Sequence, residues 1–168
     1  MQGENEDSRK SCHFPDTHPV SDKVRISVLA LPASLSGRSA TFCQTQGQGI
    51  AFNVLARNQD DHTRNIAFLM DRQGTRTQAP GFDVVWAYNS EGTWTNRHQM
   101  TVNGKRDGFE RSDVLAVGEQ FGIKRAADVL REVAEAVARW PAFAKEAAVD
   151  GALMSRIGKT HRTKLVKP

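Results

Sequence analysis

Three residues within one stretch have the types and spacing to do chemistry together. Residues 53–83 read N-V-L-A-R-N-Q-D-D-H-T-R-N-I-A-F-L-M-D-R-Q-G-T-R-T-Q-A-P-G-F-D. Asp60 and Asn65 stand five positions apart on either side of His62, and Asp83 closes the stretch after Ala79-Pro80. A carboxylate on a loop, with an amide oxygen and a second carboxylate close together, suits a magnesium–phosphate site. Magnesium is a hard cation that takes few protein oxygens and leaves its other positions to water and phosphate.

That chemistry requires the chain to return, so that Asp83 comes near Asn65. The apolar run Ile66 to Met70 is followed by Asp71-Arg72-Gln73-Gly74 and then by the polar Thr75 to Gln78. The pattern predicts a strand, a turn and a return strand, a hairpin over about 66–79. Upstream, Ile50, Ala51, Val54 and Leu55 share one helical face, which predicts a helix to Arg57. Asn58 is expected to leave that helix, because Asn tolerates the left-handed conformation at a helix end.

The same order of residues occurs in kinase-type phosphoryl transfer. There a loop Asp accepts the substrate hydroxyl proton, an Asn five positions on holds one metal, and a later Asp holds another. The stretch N-x-D-D-H-x-R-N (58–65) and A-P-x-F-D (79–83) resemble the C-terminal lobe of HipA-family toxins. These are serine/threonine protein kinases paired with DNA-binding antitoxins. R-H-Q-M-T-V-N-G-K (97–105), D-V-L-A-V-G-E-Q-F-G-I (113–123) and A-V-A-R-W-P (136–141) also resemble that family, and the likeness covers about residues 49–163.

The resemblance implies that Asp60 is the catalytic base, that Asn65 and Asp83 hold Mg2+, and that ATP is the co-substrate. It implies an antitoxin or an N-terminal kinase lobe as partner, with DNA reached only through an antitoxin. Asp61 is a rival for the base, and the five-residue spacing to Asn65 favours Asp60. His62 reads as a general base or, more in keeping with kinase-like loops, as a brace. His98 reads equally as a ligand contact or as hairpin packing.

A kinase also needs a loop over the phosphates and a lysine on a strand. Neither is recognisable before the catalytic loop; Lys23 beside Val24 is the nearest candidate. Two readings follow. One is the catalytic lobe of an ATP- and Mg2+-dependent kinase of a toxin–antitoxin system. The other is a non-catalytic remnant or interaction module that binds an antitoxin or a separate N-terminal lobe. In either reading the chain alone is expected not to transfer phosphate at a kinase-like rate.

The elements around this stretch predict a mainly α fold with a small β-hairpin. Residues 1–45 read as an unassigned leader: disordered over 1–23, a strand at 24–31 ended by Pro32, and a Ser-, Gly- and Gln-rich linker over 33–49. Residues 46–163 read as the kinase-like lobe, and 164–168 as a basic tail. Asn103-Gly104 signals a tight turn. Ser112 is expected to cap a helix that Gly122 stops. The longest helix is expected over Arg125 to Trp140, with Ala126, Leu130, Val133, Val137 and Trp140 as its apolar stripe. Pro141 ends it or begins a new turn, and a last helix is expected from Asp150 to His161, burying Leu153, Met154 and Ile157.

Composition narrows the classes. The 168 residues carry a net charge of +4, and 39% are apolar, which fits one globular domain. Arg156, Lys159, Arg162, Lys164 and Lys167 make the C-terminal end basic, and it reads as a solvated, frayed helix end. Cys12 and Cys43 do not make a disulfide framework and lack zinc-ligand spacing with His13 and His18. No apolar run reaches the ~18 residues of a membrane span, so a cytoplasmic protein is expected. Gly158-Lys159-Thr160 lacks the preceding glycine of a nucleotide loop.

Overall fold

The computed structural model describes residues 38–74 and 76–166. Its regular elements are α1 (Arg38–Ala56), β1 (Phe68–Met70), β2 (Arg76–Gln78), α2 (Arg111–Gln120), α3 (Ala126–Ala138), α4 (Trp140–Glu146) and α5 (Gly151–Thr160). The strands are antiparallel, with Phe68 opposite Gln78 and Met70 opposite Arg76. The fold is mainly α with one small hairpin, as the periodicity predicts. The disordered segment expected over 1–23 and the strand expected over 24–31 lie outside the described residues.

Helix α1 begins well inside the stretch expected to be leader and linker. Gly47 lets α1 come close to the segment after α2: a Cβ there would stand 2.6 Å from Ile123 Cδ1. At nineteen residues α1 is longer than the thirteen-residue α3, so the longest helix is not the one the apolar stripe marks. That stripe is nevertheless buried at Leu130, Val133, Val137 and Trp140. Leu130, Val133 and Val137 pack with Ala51, Val54 and Leu55 of α1 and with Val114 and Val117 of α2 in one core cluster. Burying a Val or Leu side chain fully contributes roughly 1.5–3 kcal/mol, so the α1–α3 seam is the main stabilising contact.

Trp140 joins a second cluster with Trp86, Ala144 and Ile157. Pro141 opens α4 in its first turn, where a missing N–H costs no helical hydrogen bond. Asp150 caps α5 by accepting from the Ala152 and Leu153 N–H groups at 2.9 and 3.1 Å. Ile157 of α5 is fully buried, while Leu153 and Met154 are only partly so.

Two helix ends differ from expectation. Glu110, not Ser112, is the N-cap of α2. Asp113 decides this, because its carboxylate accepts the Glu110 N–H at 2.8 Å. The expected stop at Gly122 is present: it is left-handed at φ 66°, and Ile123 N–H reaches back to the Gly118 carbonyl at 2.8 Å. At the end of α1 it is Arg57, not Asn58, that turns left-handed, at φ 61°. Asn58 is instead engaged twice with Asn53, its N–H on the carbonyl and its amide on Oδ1, both at 3.0 Å. The guanidinium of Arg57 compensates for the strained backbone. It stacks 4.1 Å over Tyr88 and donates from Nε to the Thr160 carbonyl at 3.2 Å.

The expected frayed end is also absent over the described part of the tail. Arg162 N–H donates to the Leu55 carbonyl at 2.8 Å. Its guanidinium pairs with Asp107 and lies 5.3 Å from the Phe109 ring centroid. Leu165 and Val166 then pack against the main core. Apolar side chains at these two positions outweigh the basic ones in deciding where the segment goes.

Candidate functional site

The loop 57–65 leaves α1 and is fastened to its surroundings along its length. Ala87 N–H donates to the Arg57 carbonyl at 3.1 Å, and Gln59 N–H to the Ala87 carbonyl at 3.2 Å. The Gln59 side chain is completely buried. Its amide satisfies both neighbours when the nitrogen donates to the Thr95 carbonyl and the oxygen accepts from Arg57 Nη1. Thr63–Asn65 then form one turn of 3-10 helix. The Asn65 amide nitrogen closes the loop by donating to the Asp60 carbonyl at 3.0 Å.

Adjacent carboxylates in this loop have opposite surroundings. The Asp61 side chain is 4% exposed. It accepts from His98 Nδ1 at 2.8 Å, Gln99 N–H at 2.7 Å and Met100 N–H at 3.3 Å. A carboxylate committed to three protein donors is a tether, and a poor proton acceptor for a substrate. The Asp60 side chain is 24% exposed and stands 3.9 Å from His62 Nε2. His62 is itself partly exposed, and its Nδ1 is buried without a hydrogen-bond partner among the described residues. His98 is fully buried and meets Phe109 edge-on, with ring centroids 5.1 Å apart, so it is part of the packing. The Asp61–His98 pair spans 37 positions. A pairing over that separation leaves no local signal in the sequence.

The segment carrying His98 is itself locked. His98 and Arg106 are joined by His98 N–H to the Arg106 carbonyl at 3.0 Å and Arg106 Nε to the His98 carbonyl at 2.6 Å. The tight turn expected at Asn103-Gly104 is present, with both residues at positive φ and Val102 paired to Lys105. Asp113 accepts from Lys105 Nζ at 2.8 Å and Asn103 Nδ2 at 2.9 Å as well as from Glu110 N–H. The Lys105 ammonium, then the Glu110 N–H and the Asn103 amide, hold the Asp113 carboxyl down at about 2.

The hairpin returns the chain as expected. Ala79 N–H donates to the Ala67 carbonyl at 2.9 Å, and the turn closes with Gly74 N–H on the Asp71 carbonyl at 3.1 Å. Asp83 follows at φ 52°. Asp is one of the few L-residues that visits this region, and such a backbone costs roughly 1–3 kcal/mol unless its surroundings impose it.

Asn65 and Asp83 line one cleft of about 800 Å³, together with Gly49, Ile50 and Asn53 of α1, and Pro80 and Phe82. Asp61 and His62 also reach its wall, whereas Asp60 is not among the lining residues. The described lining contains no lysine or arginine. Because the Asn65 nitrogen is held by the Asp60 carbonyl, its oxygen is left as an acceptor. An amide oxygen and a carboxylate are the hard donors that magnesium takes.

No helix among the described residues is long and apolar enough to cross a membrane. Neither a search of curated proteins nor one of solved structures gave a match. The model of the HipA-like C-terminal domain family matches residues 23–140. The match starts inside the segment 1–45, where no resemblance was expected, and stops at Trp140, before α5 and the docked end. Because it takes in more than half of the sequence, the chain belongs to the HipA-like C-terminal domain family.

Proposed function

We propose that this domain is the catalytic lobe of an ATP- and Mg2+-dependent serine/threonine protein kinase of a toxin–antitoxin system. Asp60 is the base toward the substrate hydroxyl, and Asn65 and Asp83 hold magnesium. The observation that carries the reading is that Asn65 and Asp83, eighteen positions apart in sequence, line one cleft beside a tightly fastened loop. Asp60 is the more exposed of the loop's two carboxylates. Magnesium, when bound, would offset the charge of transferred phosphate; phosphoryl transfer depends mainly on such positioning and charge stabilisation.

Titration calorimetry with Mg2+ tests the metal assignment. Asn65→Ala and Asp83→Asn are each expected to weaken binding about tenfold or more, or ~1.4 kcal/mol. Unchanged affinity in both variants overturns it.

A second reading is favoured by the cleft lining, which lacks a cation among its described residues. Here the domain contributes the base and metal ligands, and a partner lobe contributes the cation that fixes the phosphates. An antitoxin is the other partner of this class. The chain alone, incubated with γ-labelled ATP, magnesium and a general protein substrate, is then expected to transfer no label at a kinase-like rate. Label transfer that disappears in Asp60→Ala overturns the need for a partner.

A further inference from the structure

We propose that Asp61 and His98 form a positioning pair that sets the orientation of Asn65, neither of them reacting; the inference rests on the kinase reading of the site. The path is short and continuous. His98 Nδ1, Gln99 N–H and Met100 N–H fix the Asp61 carboxylate. Asp61 is bonded to Asp60 through the backbone, and the Asp60 carbonyl accepts the Asn65 amide nitrogen at 3.0 Å. Fixing the nitrogen fixes the oxygen of the same planar amide, which is the atom offered to the cleft.

Burial makes this path stiff. Asp61 and His98 side chains are 4% and 0% exposed, so water does not compete for their hydrogen bond. A buried carboxylate left without its donors is costly, which holds the loop to residues 98–100. The pair also specifies where a ring proton sits: Asp61 accepts from Nδ1, which places one there. Nε2 is buried with no hydrogen-bond partner among the described residues, as a ring that uses only Nδ1 requires. His98 behaves as the outer partners of metal sites do, orienting a ligand it does not touch.

The test uses the full chain labelled with 15N. Wild type is expected to show the His98 ring proton on Nδ1 and slow exchange of the Asn65 side-chain amide. His98→Phe, which keeps bulk but donates nothing, should speed that exchange and lower Mg2+ affinity about tenfold, within the range seen for lost outer partners of metal ligands. His98→Asn places an amide nitrogen near the lost Nδ1 and should restore both readouts. Thermal melts establish that each variant is folded. If His98→Phe does not fold, the wild-type tautomer and His98→Asn still decide. No proton on Nδ1 in wild type, Asn65 exchange unchanged in folded His98→Phe, or no recovery in folded His98→Asn overturns the proposal. Faster Asn65 exchange in His98→Phe, in a protein whose wild type binds no Mg2+, leaves the positioning pair standing and sinks the kinase reading instead.

Discussion

The two segments that carry Asn65 and Asp83 to one cleft are built by opposite means. Loop 57–65 is fastened to α1, to Ala87, to Thr95 and to residues 98–100, and it buries Asn58, Gln59 and Asp61. The hairpin that follows has its strand register and turn bonds within itself, and β1 exposes every one of its residues, with Leu69 at 55% and Met70 at 66%. A segment with few buried contacts opens at lower free energy than one tied into the core. One part of the candidate site is therefore held in buried surroundings, and the other follows a strand whose described side chains are exposed.

Removing the tether should produce the largest effect. Asp61→Ala leaves His98 and two backbone N–H groups without their acceptor in a buried place. A loss of about 3 kcal/mol is expected, as for buried donors left without their acceptor; the denaturant midpoint checks it. A loss below ~0.5 kcal/mol, the usual range for an ordinary surface substitution, would mean that the loop is not held as described.

Asp113 offers a milder test of the same fastened region, since it braces the turn beside the His98 segment. Its folded carboxyl lies near 2 against an ordinary 3.8. A carboxyl depressed by folding adds stability above its unfolded value, and that stability fades as pH falls through about 4 toward about 2. Asp113→Ala should cost about 1 kcal/mol, in the range of a lost helix cap, and should flatten this part of the stability–pH curve. Melting curves over the acidic range, compared with wild type, measure both.

The smallest effect is expected in the hairpin. Leu69→Thr replaces an exposed apolar side chain with a β-branched one that suits a strand, and stability should move by no more than ~0.5 kcal/mol. A large loss on thermal melting would show that this strand is covered and would remove the contrast.

The sequence carried the parts of this design that are local. The helical periodicity of α3, the Asn103-Gly104 turn, the Gly122 stop and the last helix from about Asp150 each depend on residues a few positions apart. The hairpin that returns Asp83 was legible because a turn sequence, Asp71 to Gly74, follows directly on the short apolar run from Ile66 to Met70. What was not legible depends on distant partners. Arg57 takes the left-handed position because Tyr88 and Thr160 hold its side chain. The start of α1 was hidden because Gly47, which reads as linker, is a close approach to Ile123. Spacing to Asn65 favoured Asp60 over Asp61, but the burial of Asp61 could not be read, because its donors lie at 98–100.

The clasp between the end of α1 and the C-terminal segment has a consequence in time. Arg57 meets Thr160 across 103 positions, and Arg162 supplies the donor for the Leu55 carbonyl. During synthesis at roughly 5–20 residues per second, the loop emerges some 5–20 s before the residues that close it. For that interval the helix that launches the loop has an unfinished end. A nascent chain stalled short of residue 160 would hold Asp60 and Asn65 in sequence without the frame that aligns them, so assembly of this site waits on residues made about a hundred positions after it.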